Sequence, residues 1–227
     1  MAVFRPVVTV QPALQRTTVR GPTFIRLLAR LTDVDAAPSS QSLPDQLSQW
    51  LNWKQAIALS TALDGKPPAP AEDVPAFGQT EDDECARIRT ALVDSITGDR
   101  YNTAVGEYTV FRQRYLVLQR SMLASTGHLR GRLRDMLALT SDDMARLAEV
   151  DAVMEAALSP REQALLARVP LLLEKHYERL RAGTPPLQDD APAAWLEVFR
   201  RDMQGLLLAE LDVRFQPVES LLAALRA

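Results

Sequence analysis

The chain holds a single cysteine, three lysines, two histidines and no apolar run near the ~20 residues that a membrane-spanning helix needs. With only Cys85 there is no intrachain disulfide, which fits a reducing compartment and leaves only pairing between chains. Met1 to Val10 has neither a basic start nor a sustained apolar core and does not read as a secretory signal, so a soluble cytoplasmic protein is expected. Aromatics make up 6% of residues, and the β-branched run is confined to Val7, Val8, Thr9 and Val10, which gives a sheet little to build from.

Chemistry-bearing patterns are equally sparse. His128 and His176 are preceded at three residues by Ser125 and Leu173, so the Glu-x-x-His pair of carboxylate-bridged di-iron bundles is missing, and a zinc site would need three or four converging ligands. The nucleophile elbow, the phosphate-binding loop and the dinucleotide fingerprint are absent too. No cofactor or metal is expected, and common catalytic motifs give no support for an enzyme. A net charge of −3 and a pI near 5.5 provide no global attraction to phosphate polymers, so a nucleic-acid site would have to be local.

What the chain does have is helical periodicity. Tyr101, Tyr108, Tyr115, Met122, Leu129 and Met136 recur every seven residues, the pattern of one seam of a long buried helix, with Ala104, Phe111 and Leu118 as a companion seam that degrades at Ser125 and Arg132. The long helix is placed over Asn102–Ala138, with a kink or partial break expected near Gly127 and Gly131. A last helix carries Leu196, Phe199, Met203, Leu207, Leu211, Phe215, Val218, Leu222 and Leu225, bent by Pro217. Between them, Ser141 caps a helix with Leu147, Val150, Met154 and Leu158 on its inner stripe. Ser159 and Pro160 open a second one, which runs to Gly183 through a kink at Pro170.

Upstream, Phe24, Leu27, Leu28 and Leu31 mark a short amphipathic helix, and Ser42 caps a second that closes at Gly65. The Pro-rich stretch Asp64–Thr80 reads as a spacer, and the acidic run Glu81–Glu84 behind it as capping chemistry at a helix start. The expected organisation is a flexible arm over 1–21, a two-helix unit over 22–63, a linker over 64–79 and a helical bundle over 80–227. The fold class is all-α, an antiparallel bundle of long helices with a small N-terminal helical unit.

Three groups of residues are candidates for function. Trp50 and Trp53, three apart, are expected on one helix face, either anchoring the N-terminal unit to the bundle or binding a partner. Arg112, Arg114, Arg120, Arg130, Arg132 and Arg134 form a diffuse basic stripe; a solvated face is its commoner meaning, and a nucleic-acid or acidic-partner surface its functional one. Cys85 is read as a small buried side chain, His176 as packed near Tyr177 and His128 as marking the weak point beside Gly127.

Four stretches, "GPTFIRLLARLTDVD", "SLPDQLSQWLNWKQAIALSTALDG", "FRQRYLVLQRSM" and "LAEVDAVMEAALSPREQALLARVPLLLEKHYERLR", together resemble a bacterial domain-of-unknown-function family, the one numbered thirty-three forty-eight. The resemblance implies a soluble helical protein with no assigned activity and no catalytic residues to carry over. It also implies a genomic neighbourhood of stator-like proton-channel proteins and peptidoglycan-binding outer-membrane partners, hence an indirect association with a membrane through a partner. The resulting expectation is a non-enzymatic scaffold or adaptor that works through helix-mediated contacts with a protein partner or a second copy. The alternative is a nucleic-acid-binding regulator using the arginine stripe.

Overall fold

The structure is a computed structural model and describes residues 23–32, 42–65, 77–98, 107–183 and 194–227. The arm, most of the Pro-rich stretch, Tyr101, Ala104 and the loop holding Pro185, Pro186 and Pro192 lie outside the described residues. Among those described there are eight helices and no strand: α1 (Thr23–Thr32), α2 (Leu43–Trp50), α3 (Trp53–Asp64), α4 (Gln79–Thr97), α5 (Tyr108–Ala138), α6 (Asp142–Leu166), α7 (Val169–Ala182) and α8 (Ala194–Arg226).

α5 and α8 form the central pair. The heptad positions of α5 face inward as their spacing requires: Tyr115, Met122, Leu129 and Met136 are buried, and Tyr108 is half-buried against Tyr177 and Phe199. Phe199, Met203, Leu207, Leu211, Phe215 and Val218 supply the facing stripe of α8. Full burial of each such side chain is worth about 1.5–3 kcal/mol, which makes this seam the main source of cohesion. The two helices run parallel, since Phe111 meets Phe199 near one end while Gly127 and Pro217 share a cleft towards the other. α4 and α6 both run antiparallel to α5, the first flanking α5 and α8 and the second flanking α5. α7 packs antiparallel on α8.

Four expectations about helix boundaries are corrected. The segment from Ser42 to Gly65 is two helices, because Asn52 is extended and closes a reciprocal cap with Gln55: the Gln55 N–H donates to Asn52 Oδ1 and the Asn52 N–H to Gln55 Oε1, both at 2.9 Å. Pro160 opens no new helix; it lies inside α6, which tolerates the loss of one backbone donor. The interruption comes instead at Ala167–Arg168, and Pro170 then occupies the first turn of α7, where a missing N–H costs nothing. The described part of α5 begins at Tyr108, with Glu107 extended as its N-cap, and it continues unbroken through Gly127 and Gly131 over roughly 46 Å. The last helix is continuous as expected, with Pro217 inside α8.

The inner face of α6 also differs from the expected stripe. Leu147 is exposed and Val150, Met154 and Leu158 are only partly covered, whereas Ala145, Ala148 and Ala157 are buried. α6 is covered on two sides, by α5 and by α3, and small residues are what close approach on two faces demands. The first helices dock at separate places: α3 lies on α6, whereas α1 lies on α7 and α8.

Candidate functional site

The most concentrated chemistry lies in the interior. Glu210 of α8 is 1% exposed. Its Oε2 accepts from the Tyr115 phenol at 2.7 Å and its Oε1 accepts from Arg214 Nε at 3.0 Å and Nη2 at 2.9 Å. Gln119 Nε2 lies 3.1 Å from both carboxylate oxygens and 3.2 Å from the carbonyl of Leu166, the last residue of α6. Arg214 Nη1 reaches Glu162 Oε1 on α6 at 3.2 Å. The carboxylate thus joins α5 to α8 directly, Gln119 and Arg214 carry the link on to α6, and an α6 terminal carbonyl that would otherwise lack a partner is capped by a side-chain amide.

Burial raises the Tyr115 pKa, and the negative charge and hydrogen bond of Glu210 push it further, so the phenol stays protonated and keeps donating. Tyr108 is raised for the same first reason, with Glu174 adding to it, and its hydroxyl donates to the Pro170 carbonyl. The cluster has its donors and acceptors matched internally, and its chemistry is that of a pin fixing the register of α5, α6 and α8. Reading the sequence for seams missed it, because Tyr115 counted there only as a large apolar position. The available signals were Glu210 and Arg214, one helical turn apart amid Leu207, Leu211 and Phe215, and Gln119 beside Leu118.

The arginine stripe is divided among several tasks. Arg130 pairs with Asp151 at 2.7 Å, and Arg134 pairs with Asp151 at 3.2 Å and with Glu155, so these two clamp α5 to α6. Arg114 donates to the carbonyls of Ile96 and Gly98 at 3.1 Å, closing the C-terminal end of α4. Arg132 stands 3.8 Å from Glu81. Arg112 and Arg120 are exposed, and Arg120 Nε donates to the Leu116 carbonyl at 3.3 Å. The structure does not gather them into one surface.

The acidic run serves capping and ion pairing: Glu81 accepts from the Gly78 N–H at 3.0 Å, Asp82 pairs with Arg226 and Glu84 with Arg87. Cys85 is buried, and burial together with Asp82 raises its pKa. His176 is buried beside Phe199 with Nε2 2.8 Å from Asp202 Oδ2, and His128 is exposed. No cluster of three potential metal ligands occurs among the described residues.

Trp50 and Trp53 do not share a helix face, a further correction that follows from the Asn52 cap. Trp50 ends α2, partly covered, with the Arg161 guanidinium 6.0 Å from its ring centre. Trp53 opens α3 and is 79% exposed, with Ile57 one turn further on at 49%. Two depressions, of about 430 and 570 Å³, open on either side of Arg114 beside Gly98; Arg200 and Arg201 line the first, and Val110 and Val117 the second.

Neither a curated protein nor a solved structure matches the chain. One family model does, over residues 10–227, and the chain therefore belongs to the family described as Protein of unknown function (DUF3348).

Proposed function

We propose that the protein is a non-enzymatic scaffold or adaptor that engages a helical protein partner through the outward face of α3. The observation that carries this reading is Trp53: a side chain of that size left 79% exposed, with Ile57 beside it on a helix whose other side is seated on α6. Exposed tryptophan next to aliphatic surface is the typical composition of a binding hot spot, because rigid aromatic area is desolvated at low entropic cost. The internal polar network supports the same reading, since it spends its groups on holding the platform rigid. The resemblance adds an expectation of an envelope-associated, stator-like complex in the cytoplasm as the place where such an adaptor serves.

The test is affinity capture of the native complex with wild-type protein and with Trp53→Ala/Ile57→Ala. Partners recovered by the first and lost by the second support the reading; an identical set from both refutes it. Filter binding to DNA and RNA over a range of salt tests the nucleic-acid alternative, which predicts affinity that falls steeply as salt rises. Use of Arg114, Arg130 and Arg134 within the fold counts against that alternative.

A further inference from the structure

The arginines that clamp α6 to its neighbours are matched by carboxylates, Arg130 and Arg134 by Asp151 and Glu155, and Arg214 by Glu210 and Glu162. The depression of about 430 Å³ between α4, α5 and α8 is built differently. Arg114, Arg200 and Arg201 line it, with Glu197 as the one acidic side chain among its described lining residues, so its wall carries a net charge of +2 in a chain whose overall charge is −3. Glu197, Arg200, Arg201 and Gln204 follow one another at three and four residues along α8, which sets them on one face of the helix. Two of the guanidiniums are held in place: Arg200 pairs with Glu197, and Arg114 donates to the carbonyls of Ile96 and Gly98 at 3.1 Å. Arg201 and the half-buried Gln204 make no hydrogen bond or ion pair among the described residues and present their donors at the cavity wall. Its floor is apolar, made by the buried Phe111, Met203 and Leu207.

We propose that this cavity binds a small organic phosphate, a phosphate monoester carried on an apolar body. Three guanidiniums around one space repel one another unless an anion lies between them, and a phosphate monoester, with a charge of about −1.5 to −2 near neutral pH, offsets the net charge of the wall. Guanidinium geometry suits phosphate oxygens, and a cleft lined by one sign of charge concentrates the opposite ion within it. A carboxylate brings a single charge and leaves the wall in excess. The volume lies in the range of small-molecule sites, roughly 300–1,000 Å³, and the apolar floor gives the body of the ligand a surface to cover. The cavity shares no residue with the Trp53 and Ile57 face, so this inference goes beyond the adaptor reading, and the failure of either leaves the other standing.

Phenyl phosphate, inorganic phosphate and benzoate are each titrated calorimetrically into the intact chain in a phosphate-free buffer of low salt. Phenyl phosphate should bind saturably at one site, and the other two more weakly: inorganic phosphate because it leaves the apolar floor uncovered, benzoate because it carries one charge. Arg201→Gln should weaken phenyl phosphate binding about tenfold or more, whereas Arg112→Gln, at an exposed arginine outside the cavity, should leave it unchanged. Arg201 is exposed, so the variant should keep its helical circular dichroism; if it does not, Gln204→Ala replaces it. No saturable binding of phenyl phosphate up to about 10 mM, or equal weakening by Arg201→Gln and Arg112→Gln, overturns the site. Benzoate bound as tightly as phenyl phosphate overturns the assignment to phosphate, and inorganic phosphate bound as tightly overturns the role of the apolar floor.

Discussion

The Tyr115 phenol donates to Glu210 Oε2 at 2.7 Å, joining the two central helices where neither side chain reaches water. Removing the two partners has unequal consequences. Tyr115→Phe deletes one donor and leaves Glu210 with Gln119 and Arg214, at a cost of about 1 kcal/mol. Glu210→Ala leaves a buried guanidinium, an amide and a phenol without their common acceptor, and should cost about 3–5 kcal/mol. Denaturant titration of the two variants checks the ranking, and equal costs would show that Glu210 is not the hub.

The same pair sets a pH dependence. Because the Tyr115 pKa is raised in the folded chain, by burial first and by Glu210 next, its stabilising effect is complete below the unfolded tyrosine value of about 10. As pH climbs beyond that, the unfolded chain loses the phenolic proton while the folded chain keeps it, so stability declines. Wild type should therefore lose urea resistance between about pH 10 and 12 more steeply than Tyr115→Phe does. Parallel slopes for the two proteins would mean that Tyr115 does not carry this linkage.

How much of this was legible in the residues follows from what periodicity reports. Spacing of three, four and seven registers burial, and so the α5 seam from Tyr108 to Met136 and the α8 stripe from Leu196 to Leu222 are found where their apolar side chains recur. Periodicity is blind to polar atoms carried on apolar bodies, which is why the hydroxyl of Tyr115 and its link to Glu210 stayed hidden. Breaks are governed by local caps: Asn52 and Gln55 outweigh the continuous apolar pattern from Leu43 to Leu63, and Pro160, which punctuates most helices, is absorbed inside α6. Arg130 and Arg134 looked like a surface because one helix was considered alone; Asp151 and Glu155, which claim them, come from another.

Trp50 and Trp53 should separate cleanly in experiment. Trp53→Ala removes a side chain with little folded-state contact and should leave unfolding free energy within about 0.5 kcal/mol of wild type. Trp50→Ala removes a partly covered ring and its contact with Arg161, and should cost about 0.5–1 kcal/mol or more. Thermal and urea unfolding of both variants provide the check. A Trp53→Ala chain that is the less stable of the two would place Trp53 in a packing role and remove the basis for its partner-binding role.

Gly127 and Gly131 interrupt an otherwise good helical sequence, yet α5 passes through both, and a Cβ added at either would meet nothing within 4 Å. Each glycine then costs backbone entropy without serving a turn or a close approach, and replacing it with alanine should stabilise the fold by about 0.5–1 kcal/mol. For a chain of this size that is a rise of about 1–4 °C in melting temperature per substitution, measurable by calorimetry or circular dichroism. Gly127→Ala and Gly131→Ala combined should add nearly independently, since neither new methyl group touches a shared neighbour. A fall in melting temperature would mean that α5 bends at Gly127 in solution, and the cleft between Gly127, Ser159 and Pro217 would then be the place to look for that movement.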